Sequence, residues 1–132
     1  MSRVEERAPA TFKNTVTLTD KLLMPHGTVT QASNHTTGVT INATSGIITL
    51  AAVALNAATN AEFTVTNSKV DADSVILVSV QDENTTNNTS IVATTHTIAD
   101  GSFVINLQNP QSSGNTSATA SKIHFLVINQ GD

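Results

Sequence analysis

Four histidines, His26, His35, His96 and His124, are the side chains in this sequence best suited to bind a metal or move a proton. They fall in four separate segments, without the i, i+2 or i+4 spacing that sets two imidazoles side by side. That spacing predicts surface and core roles, with His124, inside an apolar run, partly buried and hydrogen-bonded. Asp71-Ala-Asp73 has the opening of a calcium loop, but the Gly and distal Glu of an EF-hand are missing, so an Asp-capped turn is expected. Asp82 and Glu83 are adjacent, and neighbours along a strand point to opposite faces, which argues against a paired acid and base. Neither a Gly-x-Ser-x-Gly elbow nor a Gly-rich phosphate loop followed by Lys is present. Serine is so frequent that the parts of a Ser-His-Asp triad occur by composition alone. The expectation is a chain with no catalytic, cofactor-binding or metal site, and so not an enzyme.

Composition sets what could position any site. One domain is the simplest reading of 132 residues, and a chain of this size buries roughly two thirds of the surface exposed when unfolded. There are four Phe, no Trp and no Tyr, so the core must be built mainly from Val, Ile, Leu and Ala. Charged residues make up only 12%, while Thr, Asn and Ser abound, a mixture suited to strands and turns. The absence of cysteine removes disulfides and thiolate metal sites. No stretch approaches the roughly 18 apolar residues of a membrane span, and the first residues lack the apolar core of a secretory signal. A soluble product made in the cytoplasm, with no membrane partner, is expected. The Asn-x-Ser/Thr sequons, as at Asn34 and Asn115, then reflect the abundance of Asn and Thr.

Charge is unevenly placed. The first 21 residues hold four basic side chains, Arg3, Arg7, Lys13 and Lys21, against three acids; the remainder holds Lys69 and Lys122 against seven. An acidic body with so few cations cannot neutralise phosphates, which disfavours nucleic acid as a partner. Residues 1–14 are read as an N-terminal arm and 15–132 as a single β-sandwich domain.

Alternation predicts a strand over Thr15–Thr19, with Val16 and Leu18 on one face. Gly27–Gln31 and Gly38–Asn42, separated by a polar run, read as a hairpin with a long tip. Further strands are expected over Ile47–Leu50, Ala61–Asn67 with Phe63 and Val65 inward, Ser74–Val80, Ile91–Thr97, Ser102–Leu107 and Lys122–Ile128. Ala51–Ala58 suits either a short helix or an extended connection of small side chains. Gln81–Ser90 and Asn109–Thr119 read as exposed polar loops. Eight or nine short strands punctuated by turns predict an all-β fold, an antiparallel, jelly-roll-like β-sandwich with an extended N-terminal arm.

Two strands are apolar on both faces. Ser74–Val80 sets Ile76, Val78 and Val80 against Val75, Leu77 and Ser79, and Lys122–Ile128 sets Ile123, Phe125 and Val127 against His124, Leu126 and Ile128. A sandwich strand has one inner face, so Val75, Leu77, Leu126 and Ile128 need another cover. A homo-oligomer would supply it. The chain's own Ala51–Ala58 segment is the competing cover.

The order of phrases carries a resemblance. Gly27-Thr-Val-Thr-Gln-Ala32, Thr36-Thr-Gly-Val-Thr-Ile-Asn42, Phe63-Thr-Val-Thr-Asn-Ser68, Ser74-Val-Ile-Leu-Val-Ser-Val80, Asp100-Gly-Ser-Phe-Val-Ile105 and Lys122-Ile-His-Phe-Leu-Val-Ile128 resemble a small β-domain of tailed-bacteriophage virion proteins, in forms met in phages of cyanobacteria. The likeness spans about residues 27–129 and carries no catalytic residue. It implies a capsid decoration, or cement, protein on the outer capsid surface of the virion, bound to the major capsid protein as a homo-oligomer, on the family pattern a trimer. Arg3, Glu5, Glu6 and Arg7 of the arm would then face capsid charges, or the arm would add a strand to a capsid sheet. The alternative it implies is a tail-fibre or spike tip that binds a host receptor or glycan through its polar loops.

Overall fold

The computed structural model describes residues 11–83 and 90–130. Eight strands form: β1 (His26–Thr30), β2 (Val39–Thr40), β3 (Ser45–Thr49), β4 (Asn60–Thr66), β5 (Val75–Gln81), β6 (Val92–Ala99), β7 (Ser102–Gln108) and β8 (Lys122–Ile128). They make two four-stranded sheets, in the orders β1-β3-β8-β5 and β2-β4-β7-β6. The inner faces pack on one another as a β-sandwich, and among the described residues there is no helix.

Both sheets are mixed, which corrects the expected antiparallel ladder. β1 runs parallel to β3 and β2 parallel to β4, whereas the other neighbouring pairs are antiparallel. The two parallel pairs also depart from an all-antiparallel jelly roll. Their origin lies in the connection read as a hairpin: β1 and β2 belong to different sheets. From β1 to β4 the chain crosses the core at every step, so strands of one sheet are separated in sequence by a strand of the other. A packing contact explains why. Gly27 and Gly46 are cross-strand partners in β1 and β3. A Cβ on Gly27 would lie 3.0 Å from Ile41 Cγ1, and one on Gly46 would lie 2.8 Å from Ile41 Cδ1 and 2.7 Å from Phe125 Cε1. The paired glycines leave a notch that Ile41 and Phe125 fill, and this draws the end of β2 across the core instead of back along β1.

The buried faces follow the alternation. Phe63 and Val65 of β4, Phe103, Ile105 and Leu107 of β7, and Ile123, Phe125 and Val127 of β8 are all buried. Phe103 and Phe125 meet across the two sheets with ring centroids 5.9 Å apart and planes tilted by 58°, an arrangement aromatic rings favour. Ala51–Ala58 is neither helix nor strand. It runs extended beside residues 111–116, through Leu55 N–H to Thr116 Oγ1 at 2.8 Å, Thr116 N–H to Leu55 O at 3.0 Å and Ala58 N–H to Gln111 O at 2.8 Å. Leu55 enters the core from there. The segment does not cover the outward faces of β5 and β8, where Val75, Leu77 and Ile128 stay exposed.

The strand expected over Thr15–Thr19 does not form. From 11 to 25 the chain has no ladder, and Phe12, Val16, Leu18, Leu22 and Leu23 are all exposed. Alternating side chains suit a strand, but a strand exists only beside another, and this segment pairs with none. The turn at Asp71–Ser74 differs in detail from expectation as well. Its caps are Ser74 Oγ, which accepts from Asp71 N–H at 2.8 Å, and Asp100 Oδ1, which accepts from Ala72 N–H at 2.9 Å.

Connections fall at two opposite ends. The links 41–44, 67–74 and 100–101 lie at one end of the sandwich, together with the start of β1 and the close of β8. The links 31–38, 50–59 and 109–121 lie at the other, as do the close of β5 and the start of β6.

Candidate interface on the outer sheet face

The two outer faces differ chemically. On the β2-β4-β7-β6 sheet the outward rows are Thr, Asn, Gln and Glu in the main: Asn60, Glu62, Thr64 and Thr66 on β4, beside Asn106 and Gln108 on β7. His96 Nε2 sits 3.4 Å from Glu62 Oε1 there, both side chains well exposed, so the pair contributes little to stability. This is a face for water.

The outer face of the β1-β3-β8-β5 sheet is divided. At the long-loop end, Gln81 Nε2 donates to Glu83 Oε1 at 2.7 Å, Lys122 Nζ stands 3.5 Å from the same oxygen, and half-buried His124 donates from Nε2 to Gln81 Oε1 at 3.0 Å. Asp82 turns the other way, accepting from Ser121 Oγ at 3.0 Å, so the two adjacent carboxylates diverge. At the short-turn end, Val75 is the cross-strand partner of Ile128, and Leu77 of Leu126. Val75, Leu77 and Ile128 are 41%, 52% and 46% exposed, an unusual degree for adjacent large aliphatic side chains, while Leu126 is half-buried among them. A shallow depression of about 220 Å³ opens beside them, lined by Leu77, Ser79, His124 and Leu126. The four apolar side chains picked out in the sequence therefore form one contiguous patch.

The arm leaves from the same end. His26, Ser45, Leu126 and Leu77 occupy one row across β1, β3, β8 and β5, so the chain departs from β1 level with the patch. The charged residues assigned to the arm, Arg3, Glu5, Glu6 and Arg7, lie outside the described residues. Of the arm, 11–14 are described, with Phe12 exposed; between it and β1, Val16, Leu18, Leu22 and Leu23 stand exposed among threonine, aspartate and lysine.

Sequence reasoning missed the polar side chains that hold the long-loop end together. Gln31 donates from Nε2 to Thr37 O at 2.9 Å and accepts at Oε1 from Ala51 N–H at 3.2 Å; His35 donates from Nε2 to Ala51 O at 3.2 Å. Both are buried, at 3% and 4% exposure, and they pin the 31–38 link to Ala51. In sequence Gln31 closes a predicted strand and His35 lies in a polar run, and only the distant Ala51 marks them out. Burial lowers the His35 pKa below the usual histidine value, and the hydrogen bond to Ala51 opposes that only in part. An unfolded chain therefore binds a proton near pH 6.5 that the folded chain declines. The stability contributed by neutral His35 is complete above pH 6.5 and is lost as pH falls from there toward the lowered folded value. Thermal melts at pH 7.5 and 5 should show a larger fall in Tm for the parent chain than for His35→Gln, and equal falls would remove His35 as the cause.

Among the described residues no cluster of three His, Asp or Glu converges as metal ligands. The arrangement offers an exposed apolar patch at the end where the chain enters β1, with polar side chains at the far end of the same face. The chain matches no family model, no curated protein and no solved structure, so what the patch and arm do has to be argued from their own chemistry.

Proposed function

We propose that the chain is a capsid decoration protein of a tailed bacteriophage, which binds the assembled major capsid protein shell as a homo-oligomer, a trimer on the family pattern, and stabilises it. The observation that carries the reading is that the Val75, Leu77, Leu126 and Ile128 patch lies at the end of a small sandwich where the chain enters β1 at His26. Such a body self-associates through the patch and attaches through the arm. The likeness of its strand phrases to virion β-domains supplies the partner. Stabilisation is by linkage: a ligand that binds only the assembled shell favours it by an amount set by free concentration over Kd. Several arms on one oligomer raise the effective concentration of each after the first has bound.

A chain lacking residues 1–14 should keep its circular dichroism spectrum and its oligomeric state, yet bind emptied capsids at least about a hundredfold more weakly, about 2.7 kcal/mol. Undiminished decoration by the truncated protein would refute the arm's role. One observation favours the second reading, a fibre or spike tip: the 109–121 link at the far end is held rigidly, with buried Asn109 donating to Leu55 O at 3.1 Å and Gly114 O at 3.0 Å. Binding to host cells in place of capsids would select it.

A further inference from the structure

We infer that residues Thr15–Thr19 are a donor strand that pairs with the free edge of β5 in a second copy of this chain. This goes beyond the decoration reading and does not rest on it, since the partner is the chain itself.

The donor is defined by a conflict between pattern and placement. Thr15-Val-Thr-Leu-Thr19 alternates as regularly as β4, which does pair, and yet Val16 and Leu18 are 54% and 56% exposed with no ladder. The residues linking it to β1 would span about 20 Å if extended. The chain's own β5 lies three strand spacings from β1, and a strand on its free edge lies a fourth, about 19 Å away. The tether reaches its own edge only when drawn nearly straight, and the segment stands unpaired, which points to a neighbouring copy.

The acceptor is the one edge of the sandwich that is both regular and unfinished. Apart from its ladder with β8, no backbone hydrogen bond reaches β5 among the described residues. Its inward residues show what is missing: Val78 and Val80 are only half-buried, while Ile123 and Phe125 on the adjoining β8 are at 0% and 4% exposure. Other edges are blunted or need nothing. β6 is broken by an irregularity between His96 and Ala99, with Thr97 at φ 50°. β1 is approached through Pro25, which has no N–H to give. Beside β4, where β2 pairs only at Val65 and Thr66, Phe63 is already buried to 2% exposure. β5 has no bulge, Pro or Lys along its length, the devices that ordinarily protect an edge from another chain. A strand added there with Val16 and Leu18 inward extends the core layer over Val78 and Val80, and its threonines continue the outer face beside Leu77 and Ser79.

The chain has no cysteine, so introduced ones report cleanly. Thr17→Cys on one chain and Ser79→Cys on a distinguishably tagged second chain are mixed, without any capsid, and oxidised mildly. Thr15→Cys and Thr19→Cys are run in parallel to cover a register shifted by two. As control, Thr64→Cys on the opposite sheet replaces Ser79→Cys. The expected result is at least a tenfold excess of the tagged mixed dimer over the control. Equal yields overturn the inference, as does a double Cys chain that closes only on itself, because the arm would then belong to its own β5.

Discussion

Replacing Phe103 by alanine is expected to lower the free energy of unfolding by about 3–5 kcal/mol. The ring has no exposed surface, lies opposite Val65 in the β4–β7 ladder and packs against Phe125 of the facing sheet, so its loss leaves a cavity between the layers that neither sheet can close without shifting its register. A domain of this size has only about 5–15 kcal/mol in total, so the variant should unfold at a much lower urea concentration with an unchanged slope. Phe12→Ala is the matched control. Its ring is 72% exposed on the arm, and the substitution should move the midpoint by no more than about 0.5 kcal/mol. A comparable loss at both positions would show that the arm packs in solution as tightly as the core.

Substituting aspartate at both Leu77 and Leu126 should leave the fold in place and abolish association through the outer face. The two residues are direct cross-strand partners pointing to solvent, so in a single chain the cost is the mild repulsion of like charges side by side, about 0.2–1 kcal/mol. Between copies, the same two carboxylates would have to be buried without partners, which costs several kcal/mol. The association constant should fall at least a hundredfold. Light scattering behind size exclusion reads this directly on chains that start after residue 19, so that no donor strand bridges copies: oligomers for the chain with both leucines, single chains for the variant, with superimposable circular dichroism. Parent protein that remains single at micromolar concentration would show that the patch does not serve self-association.

Much of the sandwich was legible in the alternation itself. Phe63 and Val65, the Phe103, Ile105 and Leu107 set, and the Ile123, Phe125 and Val127 set all face inward as their spacing requires. The pairing of strands was not legible, because it depends on a distant contact. That Gly27 and Gly46 would stand side by side to admit Ile41 is a property of three segments at once, and local pattern made β1 and β2 a hairpin instead. The Thr15–Thr19 segment shows the same limit from the other side: alternation records which face could be buried, whereas a ladder needs a neighbour. Of the candidate interface, the patch could be read because four aliphatic side chains exceed what one inner face can hold. The pins at Gln31, His35 and Asn109 could not, because a buried Asn or Gln looks like any loop residue until its partner, 20 or 54 positions away, is known.

With the links 41–44, 67–74 and 100–101 at one end and 31–38, 50–59 and 109–121 at the other, the sandwich has a root and a crown. The chain enters β1 at His26 and leaves β8 at Ile128 on the root side, beside the patch. A peptide grafted within 31–38 or 109–121 would instead stand on the crown, carried by a frame whose hydrogen bonds to Ala51 and Leu55 already hold the graft's anchor points in place. For anyone wishing to make the protein carry cargo, the crown is where to build.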